Sequence, residues 1–197
     1  MFDQNLLYTP WNKLYLSEYI LENKLYFPHT FWDDFPFNLS VIRDIERVAV
    51  TNKCYYHFIR QREESETAKY RPDMYEKREE EHSWMIELYD HWNMFTPEID
   101  EFLSRRYIER LIGCVENVTN DNCTLSKIEK RIEIKKMINS ERAVSSVNSA
   151  RPNSTYMKMM LIPIKLRLSY LTYLEGTVIS KVKSNNTELF AKLKAYR

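Results

Sequence analysis

The sequence predicts an α+β protein that is mostly helical, with a few short strands near the N-terminus followed by a C-terminal helical region. Three observations predict this class. The 197 residues include only two glycines, Gly113 and Gly176, which leaves little provision for tight positive-φ turns and favours helices. Residues 1–70 contain short aromatic and β-branched runs that are typical of strands. After Pro72, apolar residues recur at helical spacing instead.

The first 70 residues are predicted to mix helices and strands. Ser17 can cap a short helix that runs to residue 23, and residues 25–27 are expected to be extended before a proline. A second helix is predicted to start after Asp34 and to run to residue 47. Residues 48–50 and 54–59 are then expected to form two short strands around a polar turn.

Long helices are predicted for the rest of the chain. Residues 71–140 form a helical extension in this scheme, with helices over 73–95, 98–118 and 124–140, the last capped by Thr124. Residues 141–197 are expected to comprise a linker, rich in serine and asparagine, and basic amphipathic C-terminal helices.

The C-terminal segment is strongly basic. From residue 151 onward there are nine Lys or Arg residues and two Glu residues, a surplus of seven positive charges. The apolar residues of 157–184 are interrupted by charges, so a membrane span is not expected. Two interpretations remain open: a helix pair that lies on an anionic membrane surface, or helices that close the core with their lysines solvated.

Several classes of protein are excluded or disfavoured. Two glycines cannot supply a glycine-rich nucleotide-binding loop. The three cysteines have no zinc-site spacing and suit a reducing compartment. No signal peptide is visible, so we expect a cytoplasmic protein, peripheral on the inner face of the cytoplasmic membrane if its tail binds there. Nucleic acid is not an expected partner, because the basic residues do not coincide with the aromatic region.

Four ordered pieces of the N-terminal region resemble a known family. They are residues 10–15 (PWNKLY), 25–28 (LYFP), 31–38 (FWDDFPFN) and 55–60 (YYHFIR). Together they resemble the acceptor-side, C-terminal half of family-two, GT-A-fold bacterial glycosyltransferases of capsule and surface polysaccharide biosynthesis. The resemblance implies that residues 1–70 are the acceptor-side part of a GT-A-like catalytic domain.

The acidic pair Asp33 and Asp34 is the candidate catalytic centre. Transfer of a sugar requires a carboxylate that accepts the proton of the attacking hydroxyl, and the resemblance assigns this role to Asp34 with inversion at the anomeric carbon. Asp33 would orient the acceptor or raise the pKa of Asp34 by like-charge proximity. A purely structural alternative is that Asp34 caps the helix that follows it.

The resemblance also implies binding residues. Acceptor contacts are expected from Trp11, Asn12, Lys13 and Trp32. Diphosphate contacts are expected from His57, Arg60 and Arg62, with His57 also a candidate metal ligand. Residues 63–67 stand where the family carries a phosphate-binding loop, and their three carboxylates disfavour phosphate binding there.

The family's nucleotide-binding half and its D-x-D metal motif have no counterpart in these residues. The chain is therefore expected to act on a nucleotide-sugar donor and a saccharide or lipid-linked acceptor only as part of a complete enzyme. That enzyme would use a divalent metal, Mg or Mn, and its missing half would be encoded upstream or supplied by a nucleotide-binding partner subunit. The alternative is a noncatalytic helical adaptor that docks on a membrane surface.

Overall fold

The described residues of the computed structural model, 6–30, 32–57 and 70–185, form α-helices and no β-strand. Nothing is stated of the side chains of residues 184 and 185. The helices are α1 (Ser17–Glu22), α2 (Asp34–Ile42), α3 (Met74–His91), α4 (Pro97–Thr119), α5 (Lys127–Ile138), α6 (Glu141–Ser149), α7 (Thr155–Lys165) and α8 (Ser169–Asn185).

The predicted α+β class is therefore wrong, and the described part of the chain is all-helical. Residues 48–50 and 54–57, expected to be strands, lie in a stretch without regular secondary structure. Val50 and Tyr55 are 81% and 72% exposed, so neither run packs on a second layer. A β-branched or aromatic run becomes a strand only when a neighbouring strand completes its hydrogen bonds, and none is present among the described residues.

The chain divides into two compact units. Unit 1 contains residues 1–65 and 80–94, and unit 2 contains residues 66–79 and 95–197. Helix α3 contributes its first turns to unit 2 and the remainder to unit 1. This division differs from the three-part division expected at residues 70 and 140.

Unit 1 is organised around the apolar helix α2. Phe35 and Phe37 are buried and stack on Tyr8 and Phe27 with ring centroids 4.2 and 4.0 Å apart. The helix ends at Ile42 rather than near residue 47. The residues just beyond it bond to the end of α3 instead: the Trp92 indole N–H donates to the Arg43 carbonyl at 2.7 Å.

Unit 2 is a bundle whose central helix is α4, which contacts α5, α6, α7 and α8. Thr96 caps α4 and Pro97 occupies its first turn, the arrangement in which proline costs no hydrogen bond. The largest fully buried side chains of this bundle come from three helices, α4, α5 and α7: Ile108, Leu111, Ile112, Val115, Ile134, Met137, Ile138, Met157, Met160 and Ile164.

Two helix starts differ from the prediction. Helix α5 begins at Lys127 with a full capping box between Ser126 and Glu129, so the cap lies two residues after Thr124. Helix α6 occupies most of the segment expected to be a linker. Ser140 caps it by accepting from the Ala143 amide, and Ala143 and Val147 are buried. Serines of this region thus have structural roles in a helix: Ser140 is the cap, and Ser146 is buried.

Helices α4 and α8 approach closely at Gly176. A Cβ atom added there would lie 2.8 Å from Val115 Cγ1. One turn later, the hydroxyls of Thr119 and Ser180 are 2.9 Å apart. The absence of a side chain at Gly176 thus permits the α8 backbone to pack directly on the side chains of Val115 and Thr119.

Within residues 6–30, 32–57 and 70–185, no helix combines the length and apolarity needed to cross a membrane.

Candidate functional site

The acidic pair lies at the start of α2 in unit 1. Asp34 is the first helical residue, and Asp33 occupies the N-cap position with helical dihedral angles of −53° and −24°. The Asp33 side chain makes no capping hydrogen bond. The structural alternative, in which Asp34 caps this helix, is therefore not what the geometry shows. A carboxylate in the first turn still interacts favourably with the helix dipole.

Lys13 and Tyr15 lie close enough to Asp34 for electrostatic interaction. Burial raises the pKa of Asp34, the negative charge of Asp33 raises it further, and the ammonium of Lys13 opposes both. Burial lowers the pKa of Lys13 to about 8, against the opposing effect of Asp34. Burial and Asp34 together raise the pKa of Tyr15 to about 12. The fold thus brings the acidic pair together with Lys13 of the predicted acceptor-binding set.

The ammonium of Lys13 is occupied by its own segment of the chain. Its Nζ donates to the carbonyls of Leu6 and Thr9 and, at 2.7 Å, to Asn12 Oδ1. Asn12 Nδ2 in turn donates to the Leu6 carbonyl at 3.3 Å. An ammonium has three donors, and all three are used here. These contacts give Lys13 and Asn12 a structural role in holding residues 6–13 together.

The two tryptophans of the predicted acceptor site differ in setting. Trp11 is 40% exposed and stacks on Tyr56 with ring centroids 6.0 Å apart. Trp32 precedes the acidic pair and has a φ of 64°, in the left-handed region. That conformation is unfavourable for a bulky residue and persists only where surrounding contacts impose it.

Asn38 is a polar residue of this cluster that the sequence reasoning missed. It is fully buried in α2, and its Oδ1 accepts a hydrogen bond of 2.5 Å from the Tyr15 hydroxyl. Its Nδ2 has no hydrogen-bond partner in the described structure. The signal was present, since Asn38 lies four residues after Asp34 and therefore on the same helix face.

Of the predicted diphosphate-binding residues, His57 alone lies among the described residues. His57 is exposed in a stretch without regular structure. Arg60, Arg62 and the acidic loop 63–67 lie outside the described residues. No group of three or more His, Cys, Asp or Glu side chains that could hold a metal occurs in the part of the chain that the structure describes.

A second candidate surface lies on α7 and α8 in unit 2, and we call it the α7–α8 face. Its apolar and aromatic residues are between 39% and 61% exposed: Met159, Ile162, Leu166, Leu168, Tyr170, Leu171, Leu174 and Val178. On α8, Leu171, Leu174 and Val178 recur at a spacing of three and four, which places them on one side of the helix. The buried residues of both helices, such as Met160 on α7 and Ile179 on α8, face the core instead.

Basic residues surround these apolar side chains. Lys158, Lys165, Arg167 and Lys181 are exposed on the same two helices and their connection. The single acidic residue of 155–183 is Glu175, which is partly buried and whose pKa burial raises. The α7–α8 face is therefore both apolar and positively charged.

Comparison with known proteins found no matching family model, no similar curated protein and no similar solved structure. The resemblance to GT-A glycosyltransferases is corrected accordingly, because that fold requires a sheet and the described residues contain no strand. The described residues thus form two helical units, with a half-buried acid–base cluster in unit 1 and an apolar, basic face on unit 2.

Proposed function

We propose that this chain is a noncatalytic helical adaptor that docks on an anionic membrane surface through the α7–α8 face. The observation that carries the proposal is the composition of this face. Eight exposed apolar or aromatic side chains share it with exposed lysines and an arginine, and the single acidic residue of 155–183, Glu175, is partly buried. Apolar side chains with flanking Lys and Arg are typical of helices that lie in the interface of a bilayer.

Both interpretations of the C-terminal segment contribute to this proposal. The inner sides of α7 and α8 belong to the core, since Met160 on α7 is fully buried and Ile179 on α8 is 5% exposed. The outer sides leave Ile162 and Val178 54% and 61% exposed. A helix pair anchored on a folded bundle can therefore meet a membrane without unfolding and without spanning it.

Charge complementarity favours anionic lipid as the occupant. Each Lys or Arg near an anionic surface contributes about 1 kcal/mol to binding, and this contribution falls with added salt. Lys158, Lys165 and Arg167 are exposed and lie beside the apolar residues. The lysine stems can cover apolar surface while their ammonium groups reach the lipid phosphates.

Vesicle flotation tests the proposal. The chain is expected to float with vesicles of equal parts phosphatidylglycerol and phosphatidylcholine, and not with phosphatidylcholine alone. The double variant Ile162→Ser/Val178→Ser should lose most of this binding. A matched control, Val48→Ser/Val50→Ser, alters residues that are 58% and 81% exposed in unit 1 and should bind normally. Absence of binding by the unmodified chain, or equal binding by all three proteins, would overturn the proposal.

Point substitutions are preferable to truncation at Ala150. Removal of residues 151–197 would delete Tyr156, Met157, Met160 and Ile164, all of which belong to the unit 2 core. Loss of binding by such a truncated chain would then report unfolding rather than loss of a docking face.

We do not propose glycosyl transfer. Partial burial raises the pKa of the Asp34 carboxyl, as suits a general base, but Lys13 and Asn12 are engaged with their own backbone. The resemblance that supplied a donor and an acceptor depended on a fold that the described residues do not adopt.

A further inference from the structure

Residues 166–168 connect α7 to α8 and form an exposed apolar turn of the α7–α8 face. Leu166 and Leu168 are 61% and 46% exposed, and Arg167 between them is also exposed. We call these three residues the hairpin tip. These two leucines extend the exposed apolar patch of the α7–α8 face, and a contiguous exposed apolar patch is typical of a surface that contacts a partner or a membrane.

The backbone of the hairpin tip is closed by two hydrogen bonds. The Leu168 amide donates to the Pro163 carbonyl at 2.9 Å, and the Arg167 amide donates to the Ile164 carbonyl at 3.0 Å. This pattern is the Schellman motif, which ends a helix with one residue in the left-handed conformation. Arg167 is that residue, with a φ of 55°.

Glycine is the residue that favours this position, because an added Cβ makes the left-handed conformation unfavourable. An arginine here therefore lowers the stability of the turn relative to glycine. It also supplies what glycine lacks, a long apolar stem and a planar guanidinium that binds phosphate through two hydrogen bonds. Lys24 has the same left-handed conformation, so the feature that distinguishes Arg167 is its position between two exposed leucines.

We infer that the hairpin tip is the element that inserts into the anionic bilayer. Leu166 and Leu168 enter the boundary of the acyl chains, and the Arg167 guanidinium binds a lipid phosphate between them. This inference rests on the proposed docking function and identifies the residues of the α7–α8 face that reach deepest into the bilayer. It requires no change of fold, because the turn is already formed and its leucines are already exposed.

Substitution of Arg167 separates stability from binding. Arg167→Gly should raise the midpoint of thermal unfolding, since glycine relieves the left-handed strain, and should weaken binding to phosphatidylglycerol-containing vesicles about five-fold, the equivalent of about 1 kcal/mol per basic residue. Lys24→Gly is the matched control, because Lys24 is exposed in unit 1 and has a φ of 51°. It should also raise the unfolding midpoint and leave vesicle binding unchanged. Unchanged binding by Arg167→Gly would overturn the role of Arg167.

A second pair of variants tests the leucines. Leu166→Ser/Leu168→Ser should reduce vesicle binding at least ten-fold, because two apolar side chains no longer enter the bilayer. Leu14→Ser/Leu21→Ser, which alters leucines that are 96% and 71% exposed in unit 1, should bind normally. If the unmodified chain binds and the tip variant binds equally, the insertion role is wrong while the docking function stands. If the unmodified chain does not bind, both are wrong.

Discussion

Gly176 of α8 lies against Thr119 of α4 so closely that a Cβ at position 176 would be 3.0 Å from Thr119 Cγ2. The same Cβ would be 2.8 Å from Val115 Cγ1. Both neighbours belong to α4, the central helix of unit 2. The absence of a side chain at residue 176 therefore sets how closely α8 approaches α4.

Gly176→Ala should destabilise the protein. The new methyl group forces α8 away from α4 at a cost of about 1–3 kcal/mol, which offsets the gain of about 1 kcal/mol that alanine brings to a helix interior. Gly113→Ala is the matched control, because a Cβ there meets nothing within 4 Å. It should stabilise the protein by about 1 kcal/mol. Urea unfolding of both variants measures these effects, and stabilisation by Gly176→Ala would contradict the close helix approach.

Tyr156→Phe should destabilise unit 2 through Glu116. The Tyr156 hydroxyl donates to Glu116 Oε1, and Lys183 Nζ lies 3.0 Å from Glu116 Oε2. Glu116 is 9% exposed, so loss of the tyrosine donor removes a hydrogen bond from a buried carboxylate, at a cost of about 1–3 kcal/mol. Tyr173→Phe, at a partly buried position beside the core, should change the free energy of unfolding by less than about 0.5 kcal/mol. Equal effects of the two substitutions would contradict this account.

Asp34→Asn should change how stability depends on pH. The folded state raises the pKa of Asp34 above 3.8, mainly through burial, so folded Asp34 holds its proton more tightly than unfolded Asp34. Its contribution to stability is present below pH 3.8 and is lost as pH rises through the raised pKa. The asparagine variant should therefore gain stability relative to the unmodified protein between pH 3 and pH 7. Chemical denaturation across that range measures the difference, and a constant difference at all pH values would contradict it.

Lys158→Gln/Lys165→Gln should weaken vesicle binding and its dependence on salt. Two basic residues contribute about 2 kcal/mol, so binding to phosphatidylglycerol-containing vesicles should fall about 30-fold at low ionic strength. The difference in binding between the variant and the unmodified chain should shrink at high salt, because salt screens the attraction between the two lysines and the lipid. Lys24→Gln/Lys53→Gln, which alters exposed lysines of unit 1, is the control and should bind as the unmodified chain does. A salt dependence equal in both variants would contradict the electrostatic part of the proposal.

The long helices were predictable because their local signals agree with their packing. Thr96 and Pro97 mark the start of α4, and the apolar residues that follow at helical spacing are the ones the structure buries, among them Leu111 and Ile112. The basic, apolar character of α7 and α8 was also visible. Its division into a buried inner side and an exposed outer side was not, because burial depends on which helix lies next to each residue.

Whether the strand-like runs of the N-terminal region form strands could not be determined from their residues alone. Val48, Val50 and Tyr55 have side chains that suit a sheet, but a strand exists only when a second strand satisfies its backbone. The family resemblance carried by the short motifs around Asp33 and Asp34 was misleading for a related reason. Such motifs describe a few side chains and do not specify the sheet that would have to support them.

The sequence by itself determined the helical character of α3, α4, α5, α7 and α8, the start of α4 and the positive charge of the C-terminal segment. These properties depend on residues that are near one another in the chain. Only the tertiary structure decided that Asn38 meets Tyr15, that Glu116 meets Lys183, and that Leu166 and Leu168 remain uncovered. The physical reason is that contacts between distant segments, and the surface left over when those contacts are complete, are properties of the packed chain.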